Sequence, residues 1–545
     1  MIIKKRDGYR IIINENIVKS PKSFEKMLLD EVKDKKDWGI IGLTCLDRDY
    51  KIINIGGYVA PNLYLPMSYA NDERFVNQYP GTRKVELTGF FYALVNEDFI
   101  KKKKLPDDLM ETQLHEADYC MECNKAGFEV YHCNKEFVIY LKEKAIDKNV
   151  NVKARLVEKE SGKFAKKWKG YKQKQLKTPI AYQGRLTGTT GFARALSQYI
   201  KSLRDINIEA QYNYISGAPE TEPKANDLYV TACMEQQADM NIPQIVWGQA
   251  PLFSKNSGKY KIGHCEFEGE EFPKSWIHWC NQMDEVWVPT KWDREKARKG
   301  GCNKPIHIIY QGIDPNYFHP EIEPMTMPVK KSFKFICNAA WLPRKNLGML
   351  LKTFVATFSK SEDVCLILKT KNLGLIKSVK DEIDSLKIGD DSPWIVYKEE
   401  EWSDEEMSSF YTGGNCFVLP THGEGWGLPI FEALACGIPV ITTGYGAPFE
   451  VLWKGRKGSK KVPGIEFLDY RAVKARTPYE YLCDGKWAEP SAKQLREKMR
   501  DVFENYDKYK KEAMAGSVII RKEFSWNVCA KQIQGRVKEI YKQGF

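Results

Sequence analysis

Two stretches of this chain repeat one pattern: a short apolar run of strand length, then glycines, then apolar residues at helical spacing. At 179–184, Pro-Ile-Ala-Tyr-Gln-Gly predicts a strand, 188–192 a glycine loop, and 193–203 a helix. At 415–420, Asn-Cys-Phe-Val-Leu-Pro predicts a buried strand and 421–428 a glycine-rich loop. Pro429 then marks the first turn of a helix that reaches Ala435 and ends at Gly437-Ile-Pro. Closer to the start, 11–18 and 38–44 carry strand signals around a helical 23–30. Strands alternating with helices predict an α/β protein.

The chemistry concentrates in the second of these loops. Residues 424–432 read Glu-Gly-Trp-Gly-Leu-Pro-Ile-Phe-Glu, two carboxylates with seven residues between them. Glu424 stays in the loop, while Glu432 lies inside the helix and can face the same cleft. A carboxylate accepts paired hydroxyl hydrogen bonds, so one suits a hexose and the other a ribose. A glycine loop at the carboxyl end of a parallel strand offers backbone N–H groups and a helix N-terminus to phosphate. A buried strand leading into a surface helix would account for either glutamate alone.

This segment resembles the donor-binding signature of retaining family-4 glycosyltransferases, and further features of that family follow in order from about Lys177 to Phe545. Gly188-Thr-Thr-Gly-Phe192 is similar to the family's glycine loop, 262–273 with 284–292 to the region before its interdomain crossover, and 310–320 to the crossover itself. Ala340-Trp-Leu-Pro-Arg-Lys-Asn-Leu347 is similar to its diphosphate-binding element, and Phe524-Ser-Trp526 to the start of a helix that returns to brace the first domain. The resemblance implies a GT-B type pair of Rossmann-like domains facing across a cleft. The acceptor-side domain is expected at 177–325, the donor-binding domain at 326–520 and the bracing helix at 521–545. A nucleoside-diphosphate sugar, of the GDP-mannose or UDP-glucose type, is the implied donor, with no further cofactor.

In such a transfer the leaving diphosphate helps deprotonate the acceptor on the same face, so stabilising the leaving group is the protein's main task. The resemblance gives that task to Arg344 and Lys345, the hexose to Glu424 and the ribose to Glu432. Gly425, Trp426, Gly427, Leu428, Gly188, Thr190 and Gly191 complete the expected donor site. Many relatives carry a further arginine where Ala339 or Ala340 stands, which leaves Arg344 without that partner. Glu268 and His264 are expected near the acceptor, although the His264 position is commonly aromatic in the family. The sequence of this half offers no metal triad or Asp-x-Asp site, so transfer is expected to proceed without a metal.

Residues 1–150 resemble the distal half of a family-2 glycosyltransferase of GT-A fold. The chain begins too late for that family's nucleotide-binding half. Asn14-Glu-Asn16 stands where metal-binding aspartate is expected, and His115-Glu-Ala-Asp118 replaces the usual Glu-Asp-x-Asp. A non-catalytic module for acceptor binding or assembly is expected there, with self-association through its open sheet edge. Residues 151–176, where lysines interleave with aromatics, are expected to form a solvated linker.

The formal charge of +12 and a pI near 8.8 point to an acidic partner. A glycan or lipid-linked glycan is the leading acceptor. Peripheral membrane contact and a modified nucleic acid base are alternatives suggested by the charge, and a non-catalytic sugar-binding scaffold is a third. No apolar run reaches the roughly 18 residues of a spanning helix, Met-Ile-Ile-Lys-Lys-Arg is no secretory signal, and the 14 cysteines are scattered. These features predict a cytoplasmic protein with reduced thiols.

Overall fold

The computed structural model describes residues 1–19, 24–47, 49–54, 56–59, 65–68, 73–107, 109, 113–140, 150–175, 177–186, 190–215, 228–234, 238–372, 378–386, 392–454, 461–475 and 485–545. The chain forms two compact units, Met1–Lys177 and Thr178–Phe545.

Thr178–Phe545 contains two six-stranded sheets. The first runs in the order Ile208–Tyr214, Lys177–Gly184, Gln244–Trp247, Lys261–His264, Glu285–Val288, Ile306–Ile308, and its pairings from Lys177–Gly184 onward are parallel. The second runs Trp394–Lys398, Val364–Lys369, Phe333–Asn338, Cys416–Leu419, Val440–Thr443, Ile465–Leu468, with parallel pairings throughout. Central strands such as Cys416–Leu419 are buried along their whole length, as parallel strands covered on both faces must be. Two Rossmann-like sheets of this kind make the GT-B type architecture.

The chain passes between the two sheets twice, and the two passes touch. Ile313 donates its N–H to the Phe524 carbonyl at 2.8 Å, and Trp526 donates back to Ile313 at 3.1 Å. Gly312 permits this approach, because a Cβ there would stand 2.5 Å from the Trp526 nitrogen. Helix Trp526–Lys542 then packs on helix Gly191–Asp205 of the first domain. Its Arg536 holds the fully buried Glu285 at 3.0 and 3.1 Å, and the Tyr541 hydroxyl donates to the Pro179 carbonyl at 2.6 Å.

Met1–Lys177 is built on an eight-stranded mixed sheet in which only Trp38–Leu46 and Glu129–Tyr140 pair in parallel among the described strands. The solvated linker expected at 151–176 is corrected. Val150–Gln175 is a helix whose Phe164 and Trp168 lie inside the core of this unit, with Tyr171 half-buried beside them. Positions 164, 168 and 171 share one helical face, a stripe that the intervening lysines conceal in the sequence. The Trp168 indole donates to Asp118 at 2.8 Å, and the buried Lys172 reaches Glu86 at 2.9 Å. Among the described strands the main path of this sheet ends at Ile17–Lys19 on one side and at Ile2–Arg6 on the other, the latter exposed at every residue and carrying Lys4, Lys5 and Arg6. Such charge discourages strand addition.

Candidate functional site

A cleft of about 390 Å³ lies between the two domains of Thr178–Phe545. Its second-domain wall is built where strands end. After Cys416–Leu419 the chain wraps onto the turn Pro343–Lys345: the Thr421 hydroxyl and the His422 N–H both donate to the Arg344 carbonyl, at 3.0 and 2.8 Å. The loop therefore delivers Glu424 directly to Arg344 and Lys345. Lys345 Nζ stands 2.7 Å from both Glu424 oxygens, and Arg344 reaches the same carboxylate at 3.1 Å. Burial works against the Glu424 charge, but Lys345 and Arg344 outweigh it and hold the carboxyl below its ordinary value. Burial conversely lowers Lys345, against the pull of Glu424.

Gly427 caps helix Leu428–Ala435 at φ 90°, a left-handed conformation that glycine adopts without strain, and Pro429 occupies the first turn. Trp426 is buried and stacks on Phe431 at 4.6 Å. Gly425, Trp426, Gly427 and Leu428 all line the cleft, as do Thr190 and Gly191 at the start of the first domain's helix Gly191–Asp205. Thr190 caps that helix by accepting the Ala193 N–H at 3.3 Å. Gly188 lies outside the described residues.

Glu432 stands behind this wall rather than on it. Tyr411 donates to one of its oxygens at 2.8 Å, and Arg194, from the first domain, holds the other at 3.1 Å while also reaching Asp404 at 2.8 Å. Burial pushes the Glu432 carboxyl up, opposed by Arg194.

The first-domain wall carries Glu268, whose carboxylate takes the outer end of Arg344 at 3.1 Å, so Arg344 spans the cleft between Glu268 and Glu424. Beside it stands Glu266, which accepts from Gln311 and is pushed up to about 8 by burial and by the charges of Glu268 and Glu424. Sequence reasoning singled out neither Glu266, Gln311, Arg194 nor Lys369, all of which line the cleft. A spacing of two from Glu268, just beyond the strand Lys261–His264, was the available signal for Glu266.

His264 requires a correction. Its side chain is fully buried among the rings of Trp247, Tyr199 and Trp287, at 4.5, 5.2 and 5.6 Å. Neither ring nitrogen has a hydrogen-bond partner among the described residues, and burial alone drives its pKa down to about 3. It packs the core beneath the cleft, outside the lining. Among the described residues no three His, Cys, Asp or Glu side chains gather as metal ligands. No described helix is long and apolar enough to cross a membrane.

The paired Rossmann-like domains and the interdomain cleft define the architectural class, a GT-B type α/β protein. Within the second domain, residues 322–464 match the family described as Glycosyl transferases group 1. The chain is 27% identical over 201 residues to a probable sucrose-phosphate synthase of Thermosipho melanesiensis, a match covering 35% of this chain and 44% of that protein. It is 24% identical over 165 residues to mannosylfructose-phosphate synthase of Agrobacterium fabrum, covering 28% and 36%. The matches thus span less than half the length of these curated relatives. Among solved structures, sucrose-phosphate synthase from Thermosynechococcus elongatus shares the fold with a TM-score of 0.52 at 12% identity, covering 67% of this chain and all of that one.

Proposed function

We propose that Thr178–Phe545 is a retaining, metal-independent hexosyltransferase that uses a nucleoside-diphosphate sugar. The observation that carries this reading is the meeting of Glu424, Lys345 and Arg344 on one wall of an interdomain cleft. Glu424 is oriented by both cations and accepts hexose hydroxyls. Lys345 and Arg344 share their charge with the entering diphosphate, a neutralisation that otherwise falls to a metal ion. Glu432 receives the ribose once Arg194 yields, and Arg194 has Asp404 as its remaining partner.

In the reaction the acceptor oxygen bonds to the anomeric carbon on the face from which the diphosphate leaves. The carbon–oxygen bond to the diphosphate breaks, and the hydroxyl proton passes to the departing diphosphate. Mannosyl and glucosyl donors are both candidates, and one relative, mannosylfructose-phosphate synthase, carries the mannosyl group in its name. The first-domain wall, opposite the donor loops, receives the acceptor, which we take to be a hydroxyl of a glycan or lipid-linked glycan.

Met1–Lys177 is proposed as a GT-A-like accessory module without catalysis of its own. Its Asn14 side chain accepts the Asn16 N–H at 3.0 Å, so the amide closes a turn at the position where the resemblance places a metal ligand. The nucleic acid and membrane alternatives rested on the net charge and on the lysines interleaved with aromatics at 151–176, and of those aromatics Phe164 and Trp168 are interior. A panel of nucleotide sugars tests the proposal, with thermal shift read in the presence of a chelator and product anomers read by NMR. One donor that stabilises the protein and yields a product of unchanged anomeric configuration supports it. Inversion, or stabilisation without any turnover as a scaffold would show, refutes it.

A further inference from the structure

The two guanidinium groups that reach across the cleft are matched by carboxylates before a ligand enters. Arg344 is divided between Glu268 and Glu424, at 3.1 Å each, and Arg194 between Asp404 and Glu432. What the wall offers instead is the Glu266 carboxyl held by Gln311, the Glu268 carboxylate, and the half-buried ring of Phe192. Carboxyl and amide groups make paired hydrogen bonds with neighbouring hydroxyls, and rings present flat apolar faces to a pyranose. A phosphate ester needs the opposite, unshared guanidinium, ammonium or N–H donors.

From this geometry we propose that the acceptor is an uncharged polyhydroxyl compound, a neutral sugar rather than a sugar phosphate, and that Glu268 sets this preference by neutralising Arg344 on the acceptor side. The inference deepens the glycosyl-transfer reading and rests on it. Donor binding sharpens the selection. The diphosphate draws on what Arg344 and Lys345 can share, and the other described lysines of the lining, Lys369 and Lys371, stand at the end of the second-domain strand Val364–Lys369, so a second phosphate on the first-domain wall would face Glu268. Discrimination of this kind works through a repulsive element as much as an attractive one.

The test compares kcat/KM for neutral mono- and disaccharides with that for their monophosphates, in the full-length chain, with donor hydrolysis followed in the same mixtures. The wild type is expected to favour the neutral acceptor by about 30-fold or more. Glu268→Gln releases one end of Arg344 and should narrow that ratio by about tenfold, whatever happens to the overall rate. A wild type that prefers the phosphate ester overturns the inference, as does a folded, donor-hydrolysing Glu268→Gln protein with an unmoved ratio. If the variant does not fold, the wild-type ratio decides alone. Donor hydrolysis with transfer only to phosphates removes this inference and leaves glycosyl transfer standing. Absence of hydrolysis with every donor removes both.

Discussion

At the scale of single residues, the cleft is governed by how charge is shared. Glu424 is buried and ionised because two cations from a neighbouring turn close on it. Glu424→Gln keeps the shape but withdraws the charge that orients Lys345, and turnover should fall by about 100-fold with the protein still folded, checked by steady-state kinetics and circular dichroism. Glu266 is poised differently. Its proton is retained up to about pH 8 because burial disfavours the charge, which would also face Glu268 and Glu424 against the offsets of Gln311 and Arg344, with the buried Asp293 close enough to feel it. As pH rises through about 8 the cleft gains negative charge, so affinity for an anionic donor should weaken. Glu266→Gln should flatten that dependence in a calorimetric titration from pH 6.5 to 9. His264 acts on stability instead. Its folded pKa lies near 3, below the ordinary value of 6.5, so as pH falls from about 6.5 the unfolded chain takes up a proton that the native core refuses. His264→Phe should therefore unfold at lower pH than the wild type in an acid titration, with turnover near neutral pH little changed.

At the scale of elements, the second-domain wall of the cleft was legible because local rules agree. An apolar run, glycines, a proline and a second glycine mark strand, loop, helix and stop, and the structure keeps that order from Cys416–Leu419 through Leu428–Ala435. Arg344 and Lys345 were legible from the same kind of resemblance, although their meeting with Glu424 bridges some 80 positions of chain. What escaped the sequence depends on packing between domains. Arg194 reads as one more charge on an amphipathic helix, and its role across the cleft exists only once Asp404 and Glu432 face it. His264 sits at a strand end where sequence cannot tell a side chain that faces the cleft from one that faces the core. Helix Val150–Gln175 was hidden by its lysines. Trp168→Ala should destabilise Met1–Lys177 by about 3–5 kcal/mol in urea denaturation, where a solvated linker would show almost none. The return helix invites a parallel measurement. Arg536→Ala leaves Glu285 buried without its cation and should cost about 3 kcal/mol or more.

At the scale of the molecule, the two parallel sheets of Thr178–Phe545 place the carboxyl ends of their strands around one cleft, and two backbone passes lie side by side where Gly312 meets Trp526. Across that cleft Arg344 of the second domain joins Glu268 of the first to Glu424 of its own, and Arg194 of the first reaches Asp404 and Glu432 of the second. On the proposed function, this cleft cleaves a nucleotide sugar through the Glu424 cluster. The most direct test is release of nucleoside diphosphate from a donor panel, measured side by side for the wild type and Glu424→Gln with chelator present. One donor should be cleaved by the wild type and about 100-fold more slowly by the variant. Equal rates for the two proteins, or no release from any donor, would contradict it.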